Sequence, residues 1–548
     1  MRRETAGIVW LLFIVVMALH PVAYGMDEAY DYLAGSVHLD SDISGGNMKI
    51  EELVQVAKEQ GSQVVIITDN DNKWVTYGIW PFRNLIRYTR GKRRIDGTPS
   101  PGIKKYGSER YIKEIESAGK RHEIIAIHGI EAVPYYRWEG KGILWRKPST
   151  QQNEKTSKGR IDLSLKNWHR HLLVIGLKNA KGYEKLPSIG NNTYPLQYNF
   201  KGILNLWPIL LVIVGIWKFR SSEKKVKRVI IAGVLILVGL VGVWENFPFF
   251  PRKHNPYHDS GETPYQDVID YVNEKEGMVF WAHPEGGRGA ENIEVPIPSV
   301  VQPLATLLGL NRERIEVQTD SYEELLDKTD GYTGFAIFVK GMTKIGRSDG
   351  LWDKLLQAYC NGKRERPIWA IGETDFEGGG PPEWVRDTQT IFLIKKAPLS
   401  ASERRERVLE AMRQGRMYAT TRIYSGSDFD TPRLDFRIRN ASGQVARMGE
   451  TLKVDSRGVT VEIELSIEKE QRYPELAILI IRSRNHPEKI QTWQKQIDNV
   501  ENASLMFTDK SYLPGQTIYY RLLVYPGLNT HPAEAAIIAS NPIFINYE

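Results

Sequence analysis

Six short apolar runs in this 548-residue chain end in His, Asp or Glu, the residue types that bind metals. In order they are Ser36-Val37-His38-Leu39-Asp40, Val64 to Asp69, and Ile124 to Glu131, then His169-Arg170-His171 with Leu172 to Ile175, Met278 to Pro284 with His283, and Ile368 to Asp375. Runs this short and this apolar read as strands buried on both faces, the pattern of a parallel sheet covered by helices. Polar groups gathered at the C-terminal ends of such strands stand where barrel enzymes build their sites. One such run says little; six in order predict a metal-dependent site.

The length exceeds what one core supports, so two or more folded units are expected. With 41% hydrophobic and 25% charged residues the composition is that of a globular protein. A formal charge of +7 is mild for this length. No basic stripe interleaved with aromatics occurs, so no nucleic-acid partner is expected. The single cysteine, Cys360, rules out an internal disulfide and reads as a packed small side chain after a helical stretch.

Residues 1–25 read as a secretory signal: Arg2 and Arg3, an apolar run from Gly7 to Leu19, then small residues placed for cleavage after Gly25. The same segment also reads as an uncleaved anchor. Two further apolar stretches, from about Gly202 to Trp217 and from Val229 to Trp244, approach the roughly 20 residues that cross a bilayer. Trp207, Trp217, Trp244, Phe247, Phe249 and Phe250 lie near their ends, where aromatic rings prefer the interface. The basic loop between them, 218–228, is expected to stay cytoplasmic, which places both outer ends across the membrane, in agreement with the signal. The competing reading is an apolar hairpin buried in a soluble core, with that loop solvated between two all-apolar helices.

Elsewhere from Asp31 to Tyr424, strand-like and helical runs alternate as βα units do. Ile50 to Gly61 and Pro264 to Glu276 read as helices, and Ser400-Ala401-Ser402-Glu403 as a capping box opening a helix that ends near Gly415. The polar stretches 90–120 and 135–166 are long for connections and read as lids or decorations. After Ser425 the helical period stops. Alternating runs such as Val459 to Leu465, Leu476 to Ile481 and Thr517 to Val524 predict an all-β sandwich.

At these motifs the sequence resembles the PHP (polymerase and histidinol phosphatase) superfamily, and within it the carbaryl-hydrolase-like metallohydrolases. The matching residues are His38-Leu39-Asp40 with Ser44-Gly45-Gly46, Ile67-Thr68-Asp69-Asn70, Gly129-Ile130-Glu131, His171 to Gly176, Ala282-His283-Pro284 and Thr374-Asp375-Phe376-Glu377. Gly415 to Thr420 and Ser540 to Ile543 also match that branch. The resemblance covers nearly all of the chain but the hairpin. It implies an α/β fold: a distorted (β/α)₇ barrel holding two or three metals, interrupted here by a two-helix transmembrane hairpin and followed by the β-sandwich. The implied domains are 26–199 and 251–424 for the barrel, 200–250 for the hairpin and 425–548 for the sandwich. Asp40, Asn70 and Glu377 stand where the family has histidine, so the full metal count does not carry over. Carboxylates there favour harder ions such as Mn²⁺ or Mg²⁺, and Asn70 is the weaker ligand.

Chemistry of this kind needs a bridging anion, imidazoles to hold the ions, and a metal-activated water as nucleophile. Glu131 is the candidate bridge. His38, Asp40, His171, His283 and Asp375 are the other candidate ligands, with Asp69 and Glu377 after them and His169 competing with His171. One to three divalent ions (Zn, Mn, Mg or Fe) are expected. Glu131 and His283 are also the catalytic candidates, with Arg288, which the Gly286-Gly287-Arg288-Gly289 loop offers to a substrate anion, although a plain flexible loop has the same composition. Singly, each strand-end His or Asp also reads as a hydrogen-bonded structural group, Asp69 as an N-cap.

The expectation is a membrane-tethered hydrolase of a small ester, carbamate or phosphoester, on the periplasmic face of a bacterial-type inner membrane. Two alternatives stand beside it. One is a degenerate, non-catalytic barrel acting as a ligand sensor; the other gives the β-sandwich a binding role through exposed rings such as Tyr519 or Tyr525.

Overall fold

The computed structural model describes residues 30–78, 87–91, 100–142, 162–189, 203–204, 206–220, 226–245, 254–295, 313–338, 340–423, 433–455, 458–466, 475–483, 490–498, 502–511, 513–526 and 535–548. The N-terminal signal, the centre of the basic loop and the rings at Phe247, Phe249 and Phe250 lie outside the described residues.

All six apolar runs become strands, and a seventh joins them. They are β1 (Tyr30–Leu39), β2 (Val64–Ile67), β3 (Ile125–Ala132), β4 (Leu172–Ile175), β5 (Met278–Trp281), β6 (Gly334–Ala336) and β7 (Trp369–Ile371), adjacent in that order in one sheet. β2, β4 and β5 are buried at every position, as runs apolar on both faces require.

The expected all-parallel arrangement needs one correction. β1, β2 and β3 run parallel, as do β5, β6 and β7, but β4 is antiparallel to both β3 and β5. Its histidines precede the apolar run rather than follow it, so reversing the strand brings them to the same mouth as the other polar ends. Beyond β7 the chain returns to the end of β1: Thr374 donates to Val37 O (2.8 Å), Phe376 to His38 O (3.1 Å) and Asp40 to Phe376 O (2.9 Å). The sheet thereby curls on itself into a half-barrel.

Helices cover the outer face. α1 (Ile50–Glu59) buries Leu53, Val54 and Ala57, and α2 (Ser108–Arg121) buries Tyr111, Ile115 and Ala118. The polar stretch 90–120 is therefore core-packed over its second half rather than a lid; its apolar side chains are few but share one helical face. The other long connections do leave the mouth as decorations. Arg137–Gly142, Asp162–Lys166, Arg288–Val295 and Glu313–Thr319 form a separate four-stranded sheet. Its small core of Tyr136, Trp138, Leu163, Leu165, Ile315 and Val317 also takes in Val75 of the neighbouring hairpin Trp74–Gly78/Arg87–Gly91.

α3 (Ile209–Arg220) and α4 (Val226–Glu245) form an antiparallel hairpin. A Cβ on Gly215 would stand 2.6 Å from Ile236, and one on Gly239 would stand 2.8 Å from Pro208 O, so glycine sets the close helix approach. The hairpin is not buried in the core. Among the described residues, every large exposed apolar side chain but Trp384, Ile423 and Met506 lies on it or in the turn leading into it. α4, with 20 residues, is about 30 Å long, the thickness of a bilayer core, whereas the 12 residues of α3 give about 18 Å.

β8 (Thr388–Lys395) and β9 (Met417–Thr421) precede the C-terminal strands, and α5 (Ala401–Gln414) lies between the two and opens on the expected capping box, Ser400 N donating to Glu403 Oε2 at 2.8 Å. The C-terminal strands are antiparallel and form two layers over a shared core of Leu434, Phe436, Val461, Ile478, Tyr520 and Leu522. They are not separated from the curled sheet. Ile538–Ser540 pairs with β9 and Thr517–Tyr525 follows, so one 15-stranded sheet runs through both regions.

Buried polar groups fix this junction. Arg521 donates from Nε and Nη2 to Asp353 (2.6 and 2.7 Å), Tyr519 donates to the same carboxylate (2.8 Å), and both charged side chains are fully buried. Asn541 accepts from Ala370 N (2.7 Å) and donates to Ala370 O and Met417 O. Tyr519 is thus committed to the interior and offers no exposed platform. Burial pushes the Cys360 thiol up to about 12, in keeping with a packed rather than reactive cysteine.

Two stability outcomes follow from these buried groups. Arg521→Met leaves Asp353 charged and unpaired, so urea unfolding is expected to show a loss of about 3–5 kcal/mol, partly restored in the Arg521→Met/Asp353→Leu double variant. His128, between Tyr183 (2.9 Å) and Arg405 (2.8 Å), is held down from 6.5 to about 3 by burial and then by the Arg405 charge. The unfolded chain therefore takes up this proton first. The contribution is complete above pH 6.5 and lost as pH falls toward 3, and His128→Gln is expected to flatten the acid limb of a melting-temperature profile.

Candidate metal centre

The mouth of the curled sheet gathers His38 at the end of β1, Glu131 in β3, His171 just before β4, His283 just after β5 and Asp375 after β7. Three of these, His38 (φ 69°), His283 (φ 30°) and Asp375 (φ 52°), have left-handed backbone, although none is glycine. Such conformations each cost on the order of 1–3 kcal/mol and persist where the surroundings enforce them. Here the strand must turn sharply to face its last polar side chain inward.

Three imidazoles converge on one buried carboxylate oxygen. His38 Nε2 lies 3.2 Å and His283 Nε2 3.3 Å from Glu131 Oε1, and His171 Nδ1 is closer still. The opposite nitrogen of each ring is already engaged. His38 Nδ1 meets Glu373 Oε2 at 2.9 Å, and His171 Nε2 meets Trp168 O at 3.0 Å; both partners accept only, so both nitrogens carry the proton. Tyr322 donates to Ala282 O, which leaves its oxygen to accept from His283 Nδ1 at 3.1 Å.

In the neutral rings the lone pairs of His38 Nε2, His171 Nδ1 and His283 Nε2 therefore all face the Glu131 carboxylate. His38 Nε2 and His171 Nδ1 are buried and make no hydrogen bond. Lone pairs opposed in this way repel unless a cation stands among them, and outer hydrogen bonds that fix the tautomer are the usual setting of metal-binding histidines.

The ligand atoms fall into two overlapping clusters, Glu131/His171/His283 and His38/Asp40/Asp375, each with its atoms within 4.8 Å of one another. His38 Nε2 links them, 3.2 Å from Glu131 and 3.8 Å from Asp375. Electrostatics follow the same geometry. Burial opposes charge on Glu131, but His171 and His38 hold its carboxyl well below the usual carboxylate range. Burial likewise works against His38, yet Glu131 and Glu373 together push it well up, whereas His171, which faces Glu131 but not Glu373, is pushed down by burial. Burial and then Glu131 push Asp40 well up.

The other sequence candidates take different places. Asp69 accepts from Ser41 N and Oγ (2.9 and 2.8 Å) and from Ser44 N and Oγ (3.1 and 2.6 Å), so it organises the turn after Asp40 and belongs to neither cluster. Glu377 also stands outside both. Asn70 donates its amide to Glu131 Oε2 and keeps a buried, unbonded Oδ1, so it orients the bridging carboxylate. His171 rather than His169 reaches Glu131. Arg288 opens the strand Arg288–Val295, and its side chain lies outside the described residues.

Two partners were not legible in the motifs. Glu373 joins His38 Nδ1 to the backbone N–H of His283 (2.5 Å), and Tyr322 orients the His283 ring. Glu373 stands two residues before Asp375, and that spacing is the one sequence signal for it; Tyr322 has none. At the rim, Lys340 Nζ is 3.2 Å from Asp375, and the Lys73 charge acts on both Asp40 and His171.

No protein-family model matches this sequence, and no curated protein does. Among solved structures it is similar to a Bacteroides vulgatus two-domain protein whose description includes a PHP-like metal-dependent phosphoesterase. That match has 11% identity, 94% of this chain and 96% of that one covered, and a TM-score of 0.32. A Bifidobacterium adolescentis protein described as a metal-dependent phosphoesterase matches with 13% identity, 64% and 89% covered, TM-score 0.26. A Chromobacterium violaceum amidohydrolase with bound sulfate and no metal matches with 13% identity, 63% and 88% covered, TM-score 0.24. At this level of likeness the chemistry stands on this chain's own residues.

Elemental analysis of the purified protein is expected to find at least one divalent ion per chain, retained in His169→Ala and lost in Glu131→Ala and His171→Ala. Glu373→Gln is expected to keep the site but weaken metal affinity about 10–100-fold in a calorimetric titration.

Proposed function

We propose that this protein is a metal-dependent hydrolase of the PHP type, tethered to a membrane by the α3–α4 hairpin, and that its substrate is a phosphoester. The observation that carries the reading is the convergence of three imidazole nitrogens, the opposite nitrogen of each ring already hydrogen-bonded, on the buried Glu131 carboxylate. The curled seven-strand sheet is read as the distorted (β/α)₇ barrel, and the sequence motifs favour the carbaryl-hydrolase-like branch.

His38, Asp40, Glu131, His171, His283 and Asp375 are the residues that would hold one or two ions. A divalent ion bound there supplies Lewis acidity and lowers the pKa of water. Glu131 balances the charge of the site, Glu373 and Tyr322 keep the rings in one tautomer, and Asp375 faces the mouth with Lys340. The Lys340 ammonium, partly exposed beside Asp375, and Lys73 give the rim two cations, which favours an anionic ester over a neutral ester or carbamate.

Support for the membrane reading comes from the length of α4, the exposed apolar hairpin and the basic loop 218–228. With the loop cytoplasmic, the metal centre and the C-terminal strands stand on the extracytoplasmic side of the plasma membrane.

The test is hydrolysis of 4-nitrophenyl phosphate, a carboxyl ester and a carbamate by the metal-loaded full chain. Phosphoester turnover is expected, abolished in Glu131→Ala and His283→Ala, with Lys340→Ala raising KM. Bound metal with no turnover of any panel member would instead indicate a ligand sensor built on this fold.

A further inference from the structure

We infer that the substrate is a phosphorylated lipid presented by the bilayer that holds the hairpin. This rests on the hydrolase reading above and names the substrate class of the same site.

The described residues flanking the hairpin in the chain, Ser188 and Ile189 before it and Asn255 to Tyr257 after it, are fastened beside the metal centre. On the incoming side, Ser188 donates to Asp71 Oδ2 (2.6 Å) and Ile189 N to Pro134 O (3.0 Å). Asp71 N in turn donates to Glu131 O (3.1 Å), and Pro134 is three residues beyond Glu131. Pro134, which Ile189 contacts, is therefore within about 10 Å of chain from the carboxylate on which the imidazoles converge.

The outgoing root is fastened to the same elements. Trp138 N donates to Pro256 O (2.7 Å), Tyr135 OH to Asn255 O (3.1 Å), and Gly78 N to the Tyr257 hydroxyl oxygen (2.6 Å). Tyr257 also packs in the small core of the accessory sheet. Both roots thus belong to the layer that leaves the mouth of the curled sheet, and neither belongs to its opposite end.

Chain length limits how far the mouth stands from the bilayer. Eight residues separate Glu245, the end of α4, from His254, a span of at most about 32 Å when fully extended. Arg447 and its neighbours in the C-terminal strands lie at the other end. Arg447 covers the ring of Tyr30 at 5.0 Å, and Tyr30 stands at the start of β1, about 30 Å along the strand from Leu39. The mouth, with Lys73 and Lys340 on its rim, is the end of the molecule held toward the membrane surface. A lipid phosphate monoester headgroup is one anionic ester presented at that surface.

The reaction is a hydrolysis. Water adds to phosphorus, the bond from phosphorus to the lipid oxygen breaks, and a proton from water passes to the departing alkoxide, giving the lipid alcohol and inorganic phosphate.

The test uses the metal-loaded full chain in phosphatidylcholine vesicles, with phosphatidic acid in the bilayer and 4-nitrophenyl phosphate in solution as probes. A second form carries flexible Gly-Ser insertions at both roots, after Gly190 and after Phe250. Extension is expected to lower phosphatidic acid turnover by about tenfold or more through the lost effective concentration, with 4-nitrophenyl phosphate turnover unchanged. Soluble-ester turnover without lipid turnover, or lipid turnover indifferent to extension, overturns the inference. Failure on both probes overturns the hydrolase reading itself.

A readout independent of activity places a single fluorophore at Thr89→Cys in the accessory hairpin or at Lys453→Cys in the C-terminal strands, each in a Cys360→Ser background. Headgroup-labelled quencher lipids are expected to quench the Thr89 site more strongly. Equal or reversed quenching overturns the inference whatever the substrate.

Discussion

Three imidazoles aimed at a single buried carboxylate oxygen are the constraint on which the mouth of the curled sheet depends. The outer ring nitrogens hydrogen-bond Glu373, Tyr322 and the Trp168 carbonyl, which turns the inner ones toward Glu131. Three strand ends accept left-handed backbone to present their side chains, and one strand runs backwards to deliver His171. Each feature is unfavourable or neutral taken alone. Together they gather two clusters of side chains able to ligate a cation.

Asn70 shows how the central carboxylate is held. Its amide hydrogen-bonds the second oxygen of Glu131 and gives that carboxylate a fixed orientation. Asp69, turned away to Ser41 and Ser44, shows the division between residues that face the cavity and residues that shape its wall.

Much of the fold was legible because burial on both faces leaves an unmistakable apolar signature in β2, β4 and β5. The site was legible where a polar residue interrupts such a run: His38, Glu131, His171, His283 and Asp375 all came from that pattern. The direction of β4 was encoded too, in histidines that precede the run, but it becomes meaningful only when the neighbouring strands are known. Glu373 and Tyr322 were hidden because hydrogen-bond partners of a ring nitrogen carry no spacing rule. The helix Ser108–Arg121 was hidden because a mostly polar helix with one narrow apolar face looks like a loop. Division of the chain near Ser425 follows a real change of periodicity, yet backbone pairing across β9 leaves no trace in composition.

That pairing has a consequence for how the protein can be dissected. Cutting the chain after β9 would strip the partner strand from an interior row of amides and carbonyls, and would leave the Asp353 carboxylate, Ala370 and the Met417 carbonyl without the side chains that satisfy them. The fragment would present a short unpaired strand edge at Tyr418 to Thr420, open to pairing with another extended segment. The half that carries the candidate site and the C-terminal half are thus one body, and neither is a module that can be exchanged by swapping sequence at the visible boundary.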